Sequence, residues 1–411
     1  MGIINKLWKR KGFLARAAIN LGIHNFDVIA GKNKGKPDGK KTVVFVRAIS
    51  DIRIFKQAKA LRNTGEFYTV FFTKVLDRNL MRPAFDEIHP LVSVERMVRR
   101  IESLDKSGEI LVIHTSSPPA SICRELIEMR LPWPIIFDQY DSWMVTMGPD
   151  YRGDSSKRMY DLRRQIEDEK FCYENADGVV SKTTEIDYIK PILDVTAPTL
   201  IYPDYAFDDW FVEPQEPIRL EDGRPHLVYI GGIHGKEVPD ELGYSKFFDF
   251  ARNLNRQRIH FHIYPSPAQT IVSDEYKDLD KELPFFHFHK SKKPWEIQKE
   301  IAKYDFGLDI AWTEKAISLR KEKIKTATGI KYSTYLEAGL PIIGNAGKPY
   351  VGNEIIKSKL GFLIENEETE LPLVLLMKRN EYQASVLQYR KTFRSAYQIQ
   401  NLSDFYCRIS K

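Results

Sequence analysis

The stretch "TGIKYSTYLEAGLPIIGN", residues 328–345, gathers a lysine, hydroxyls and glycines around a short helix that feeds a buried strand. Gly329 breaks the segment before it, "IKYSTYLEAG" has the composition of a helix, and Gly339 closes that helix as C-terminal glycines do. Pro341 forces the chain out of the helix, and "LPIIGN" reads as the following strand. Lys331, Ser333 and Thr334 fall in or just before the first turn, where unpaired N–H groups and the helix dipole favour an anion. A lysine there opposes the dipole. A bound phosphate is the natural compensation.

Outward from this stretch the same alternation recurs. "TVVFVRA" (42–48), a helix over 51–65 closed by Gly65 and "EFYTVFFT" (66–73) form one βαβ unit. "EILVIHT" (109–115), "WPIIFDQYD" (133–141) and "ADGVVSKT" (176–183) continue the strands, with helical sequence between them. After the aperiodic, Pro-rich and acidic segment 212–225 the pattern restarts with "HLVYIGG" (226–232), "IHFHIYP" (259–265), "FFHFHK" (285–290), "FGLDIAW" (306–312) and "GFLIEN" (361–366). Apolar strands with helical crossovers imply parallel sheets covered on both faces.

The expected architecture is therefore α/β, with two Rossmann-like doubly wound domains facing across a cleft. They span 42–211 and 226–395, joined by the linker 212–225, with a C-terminal helix (396–411) expected to pack back on the N-terminal domain. Such sheets bind ligands at the carboxyl ends of their strands.

A chain of 411 residues that is 43% hydrophobic can fill two cores of this kind. Its three cysteines, Cys123, Cys172 and Cys407, are widely spaced and suggest neither a zinc site nor a disulfide framework. Neither a spanning apolar run nor a secretion signal is read, so a cytoplasmic chain is expected. The net charge of +6 is concentrated in residues 1–41, which carry +8. There, Ile3, Ile4, Leu7, Trp8, Phe13 and Leu14 alternate with Lys6, Lys9, Arg10, Lys11 and Arg16, the pattern of a basic amphipathic helix. Residues 1–21 are thus expected to make peripheral contact with the inner face of the cytoplasmic membrane, and 31–41 to act as a linker. No aromatic-interleaved basic face supports nucleic-acid binding.

A second glycine-rich turn, "VYIGGIHGK" (228–236), ends a strand at Gly231 and Gly232. Such glycines let backbone amides approach a phosphate, with His234 and Lys236 as sources of charge. Its spacing is not that of a nicotinamide dinucleotide site. Six of the nine histidines lie between 226 and 289, including His-x-His pairs at 260–262 and 287–289. Alternation puts His260 and His262 on one strand face, so strand packing accounts for them and no metal is expected.

"KYSTYLEAGLPII" resembles the donor-diphosphate motif K-x-S-x-Y-L-x-A-G-x-P of GT-B nucleotide-sugar glycosyltransferases, matched by Lys331, Ser333, Tyr335, Leu336, Ala338, Gly339 and Pro341. The wider domain pattern agrees in order. Thr326 and Thr334 stand where retaining family-four enzymes carry two glutamates eight positions apart. That departure favours the subgroup resembling bacterial galactofuranosyl- and glucosyltransferases.

The resemblance implies transfer of a sugar from a nucleotide-diphosphate donor, commonly a UDP-sugar, to a hydroxyl of a glycan or lipid-linked acceptor in cell-surface polysaccharide synthesis. It implies no resident cofactor, and a diphosphate neutralised by protein cations rather than by a metal. Lys331 and Lys236 are the candidate cations. Phe288 and His289, with Tyr264 beside them, become candidate contacts to the nucleotide base. An inverting reaction needs a base, for which Asp141 at the end of "IIFDQYD" is the first candidate, ahead of Asp138, Asp51 and His114. The basic run 314–325 is a candidate for holding acceptor phosphates. A catalytically silent sugar-nucleotide-binding protein and a nucleotide-sugar epimerase are the alternatives on the same architecture.

Overall fold

A computed structural model describes residues 29–30, 39–105, 108–151, 157–238, 245–266, 273–312 and 318–411. The amphipathic segment 1–21 and most of the linker 31–41 lie outside the described residues. Two compact units divide the chain. One takes the described residues up to Met144, Pro149–Tyr202 and Ile399–Lys411; the other takes Val145–Gly148 and Pro203–Gln398.

The first unit is built on a sheet of the strands β1 (Ile29–Ala30), β2 (Lys41–Val46), β3 (Phe67–Thr73), β4 (Glu87–Pro90), β5 (Ile110–Ser116), β6 (Ile135–Gln139), β7 (Gly178–Ser181) and β8 (Thr199–Ile201). Their spatial order is β1-β4-β3-β2-β5-β6-β7-β8. All neighbours are parallel except β1, which runs antiparallel to β4. The apolar runs read from the sequence fill its centre: Val43, Val44, Phe45, Val70, Phe71, Val112, Ile113, Ile136 and Phe137 are buried. Asp51 is the N-cap of helix Ile52–Asn63, accepting a hydrogen bond from the Ile54 amide at 2.9 Å.

The second unit holds β9 (His226–Gly231), β10 (His260–Pro265), β11 (Phe286–Phe288), β12 (Phe306–Asp309), β13 (Ile342–Asn345) and β14 (Gly361–Ile364). This sheet is wholly parallel in the order β11-β10-β9-β12-β13-β14. The order reverses between β9 and β12, which makes their carboxyl ends the topological switch point where doubly wound sheets take ligands.

The domain boundary expected at 212–225 falls earlier, after Tyr202. The reason is local hydrogen bonding. The Phe207 amide donates to the Glu337 carboxylate at 2.8 Å and the Val212 amide to the Glu337 carbonyl at 2.9 Å, which ties the segment to the second unit. At the other end, residues from Ile399 onward belong to the first unit, within helix Ser395–Ile409.

Candidate donor site

The opening motif forms helix Ile330–Glu337, with Gly329 as an extended N-cap that offers no side-chain cap. The Tyr332 amide closes back on the Gly329 carbonyl at 3.0 Å, a tight first turn at the helix's positive end. Gly339, at φ +66°, takes the left-handed turn that ends it. Tyr335 fixes the helix to the sheet. Its buried hydroxyl donates to the Leu308 carbonyl at 3.0 Å and accepts from the Ile230 amide at 3.2 Å, joining β12 to β9 at the switch point. Gly307 supplies the room, since a Cβ there would lie 2.6 Å from Tyr335 ring carbons.

This anchoring sets Lys331 against the end of β9. Its ammonium lies 5.0 Å from the Tyr229 ring centroid and 3.4 Å from the Tyr229 hydroxyl, which donates in turn to the Gly232 carbonyl at 2.7 Å. Gly231 adopts φ +113°, and a Cβ there would touch the Lys331 stem at 3.7 Å. The structure thus brings together Lys331, Gly231 and Gly232, which lie about a hundred residues apart in sequence. A half-buried cation, a helix N-terminus and a glycine turn at strand ends are the elements of an oxyanion site.

The remaining candidates are placed differently. Ser333 and Thr334 are buried, and both hydroxyls donate to the Ile330 carbonyl, at 3.0 and 2.8 Å. They satisfy the helix itself, which corrects their assignment as phosphate-facing hydroxyls. Thr326 likewise bonds back to the Glu322 carbonyl at 3.0 Å. Lys236 is exposed, with its ammonium 5.0 Å from the Phe248 ring centroid and its amide on Glu275. His234 is held through its backbone, its amide donating to the Ser245 carbonyl and its carbonyl accepting from Tyr276.

The expected base-contact group is split by strand alternation. Phe288 packs against Tyr276 on one side of the sheet. Tyr264 and His289 stack on each other at 4.3 Å on the other. Tyr264 is buried with its hydroxyl 3.0 Å from that of Tyr304, and burial raises its pKa. Of the basic run 314–325, residues 314–317 lie outside the described residues, while Lys325 is exposed and pairs with Glu322 in helix Ser318–Thr326.

In the first unit, Asp141 follows β6 with a half-exposed side chain and accepts from Lys182 at 3.0 Å. Lys182 also lies 4.2 Å from the Tyr140 ring centroid. Asp138 is wholly buried and internal: Arg53 grips it with two nitrogens at 2.8 and 2.9 Å, and Gln57 and His114 each reach it at 3.1 Å. His114 is closed on its other nitrogen by Tyr406 at 2.7 Å. This network takes Asp138 and His114 out of the set of candidate bases, because no atom of either is left to meet an acceptor.

Sequence reasoning missed two features of the switch point. Asp309, buried at the end of β12, pairs with Lys348, and Asn345 at the end of β13 bridges to the Ala311 backbone through both ends of its amide. The available signal was a lone aspartate ending the apolar strand "FGLD", with a lysine after the next strand. Tyr229, the platform under Lys331, gave no signal, because an aromatic in a buried strand reads as core.

The architecture is that of the GT-B nucleotide-sugar glycosyltransferases. Residues 242–402 match the family model described as "Glucosyltransferase 3-like, C-terminal domain". No curated protein matches the sequence. Among solved structures, Alr3699/HepE of Anabaena in complex with UDP is similar over 90% of this chain and 100% of its own, at a TM-score of 0.61 and 10% identity. A glycosyltransferase from Rickettsia africae ESF-5 follows at 0.60 and 12% identity, covering 90% and 99% of the two chains. Sucrose-phosphate synthase of Thermosynechococcus elongatus gives 0.55 and 11%, covering 90% and 97%. At these identities the likeness is one of fold.

Proposed function

We propose that the chain is a glycosyltransferase that moves a sugar from a nucleotide-diphosphate donor, a UDP-sugar, to a hydroxyl of a glycan or lipid-linked acceptor in cell-surface polysaccharide synthesis. The observation that carries the reading is Lys331 held beside Gly231 and Gly232 at the switch point, in the first turn of an uncapped helix. The family match over the same unit supports it.

In this reading the acceptor oxygen forms a bond to the anomeric carbon as the bond from that carbon to the β-phosphate oxygen breaks. Negative charge grows on the leaving diphosphate. Lys331 and the first-turn amides meet that charge without a catalytic metal, and preorganised donors of this kind are worth roughly 3–4 kcal/mol each when removed. Asp141 is assigned the acceptor proton. Peripheral membrane contact through residues 1–21 remains part of the proposal. Among the described residues no helix is long and apolar enough to cross a membrane.

The test is a thermal-shift titration with UDP, GDP, ADP and CMP, followed by UDP release from UDP-sugars in the presence of glycan acceptors. Stabilisation by UDP that rises with concentration and is lost in Lys331→Ala is expected, as linkage requires. A chain that ignores all four nucleotides overturns the donor assignment.

A further inference from the structure

Five imidazoles line one face of the second sheet at the edge formed by β9, β10 and β11. Register places His226 opposite His260 and His262 opposite His287. They are joined nitrogen to nitrogen: His226 Nδ1 to His262 Nε2 at 2.9 Å, His260 Nδ1 to His287 Nε2 at 2.7 Å, and His262 Nδ1 to His289 Nε2 at 2.9 Å. One ring nitrogen from each of His226, His260 and His262 lies within 4.8 Å of the other two, the single such group of possible metal ligands among the described residues.

We infer that His226, His260 and His262 form a binding site for a divalent transition-metal ion, with zinc as the best-matched occupant. Neutral imidazole is the ligand that zinc, copper and nickel favour. Zinc sits about 2.0–2.1 Å from each nitrogen, so two tetrahedral ligands are roughly 3.3 Å apart. The 2.9 Å pair need open by only a few tenths of an ångström to exchange a shared proton for the ion.

The outer partners also fit. Asp222 reaches Nε2 of His260 at 2.8 Å and Nε2 of His226 at 3.4 Å, and His289 holds the second nitrogen of His262. His226 and His262 thus have their other nitrogen engaged, the arrangement that fixes imidazole tautomers at metal centres, whereas His260, stacked parallel on His226 at 4.2 Å, must turn and give up its Nδ1 contact with His287 to meet the ion. His226 and His262 are buried, whereas Asp222 is about one-third exposed, which leaves an entry path at the rim.

The site is structural rather than catalytic. His226 begins β9 and Gly231 ends it, which at about 3.3 Å per residue separates the ion from Lys331 by roughly 16 Å. Its effect would be to pin β9 to β10, and the inference stands or falls independently of the transferase reading.

The experiment is equilibrium dialysis of the full chain against Zn²⁺ with metal analysis, and Co²⁺ substitution read by absorption. One ion per chain and the intense visible bands of tetrahedral Co²⁺ are expected, both abolished in His226→Asn/His260→Asn and kept in His89→Gln of the other unit. Asp222→Asn keeps the three ligands and should weaken Zn²⁺ about 10–100-fold. It also decides the matter if the double variant fails to fold. No retained Zn²⁺, an octahedral Co²⁺ spectrum, binding undiminished in the folded double variant, or an unchanged affinity in Asp222→Asn would each overturn the site.

Discussion

The ammonium of Lys331 rests 5.0 Å from the ring centroid of Tyr229 and 3.4 Å from its hydroxyl, so that a residue of helix Ile330–Glu337 is positioned by one from the centre of the neighbouring strand. The pair separates charge from position. Lys331→Ala should lower kcat about 10²–10³-fold, the loss typical of one removed oxyanion donor. Tyr229→Phe keeps the ring under the ammonium and removes only the hydroxyl, and should cost less than tenfold. Steady-state rates of UDP release check both, and equal losses in the two variants would refute a direct role for the lysine.

Gly231 sits at φ +113° with its α-carbon facing Lys331. An alanine there must adopt a backbone conformation that costs about 1–3 kcal/mol. Gly231→Ala is expected to lower the melting temperature and to weaken UDP binding together, since strain relief would move the turn that the phosphate needs. Calorimetric titration with UDP measures the second effect directly.

Gly307→Ala tests how the helix is seated. The new methyl would lie 2.6 Å from Tyr335 ring carbons, inside van der Waals contact. Overpacking of this kind costs about 1–3 kcal/mol. Denaturant unfolding should show that loss. A parallel fall in UDP affinity is expected, because Tyr335 sets the distance between the helix and β9.

The first unit should be acid-sensitive through two carboxylates. Burial alone would raise Asp138, but the Arg53 guanidinium and the His114 ring overcome that and hold it well below the usual carboxylate range. Glu87 is held at about 2, chiefly by its hydrogen bond to His89, with burial opposing. Both folded values are depressed. The stability they contribute is therefore complete above the unfolded values near about pH 4 and is lost as pH falls through the folded ones. Denaturant midpoints of the first unit should be level from pH 8 to 6 and decline below about pH 4. Asp138→Asn should cost about 3–5 kcal/mol at pH 7, because it leaves the Arg53 charge buried and uncompensated. A pH profile identical in the variant and the parent would refute the assignment.

Legibility in the sequence followed the physics of each feature. Strand β9, helix Ile330–Glu337 and the turn at Gly339 were readable, because apolar runs, glycine and proline act locally. The pairing of Lys331 with Gly231 was readable only as two separate anion motifs, since nothing in a sequence states that β9 and β12 are neighbours. Ser333 and Thr334 were misread because a hydroxyl in a first turn looks the same whether it serves a ligand or its own carbonyl. The short strands Glu87–Pro90 and Thr199–Ile201 escaped notice, being too brief to show a period. The histidine pairs were read strand by strand, and only the register that adds His226 to them makes a three-ligand group.

Helix Ser395–Ile409 carries a consequence for synthesis. Tyr406 closes His114, and Phe405 and Ile409 pack over Gly178, where an added Cβ would press on both. The first unit's core is thus completed by residues translated after the entire second unit. On the ribosome the N-terminal sheet must wait, with Asp138 and His114 short of their last partner, while the second unit can finish folding ahead of it.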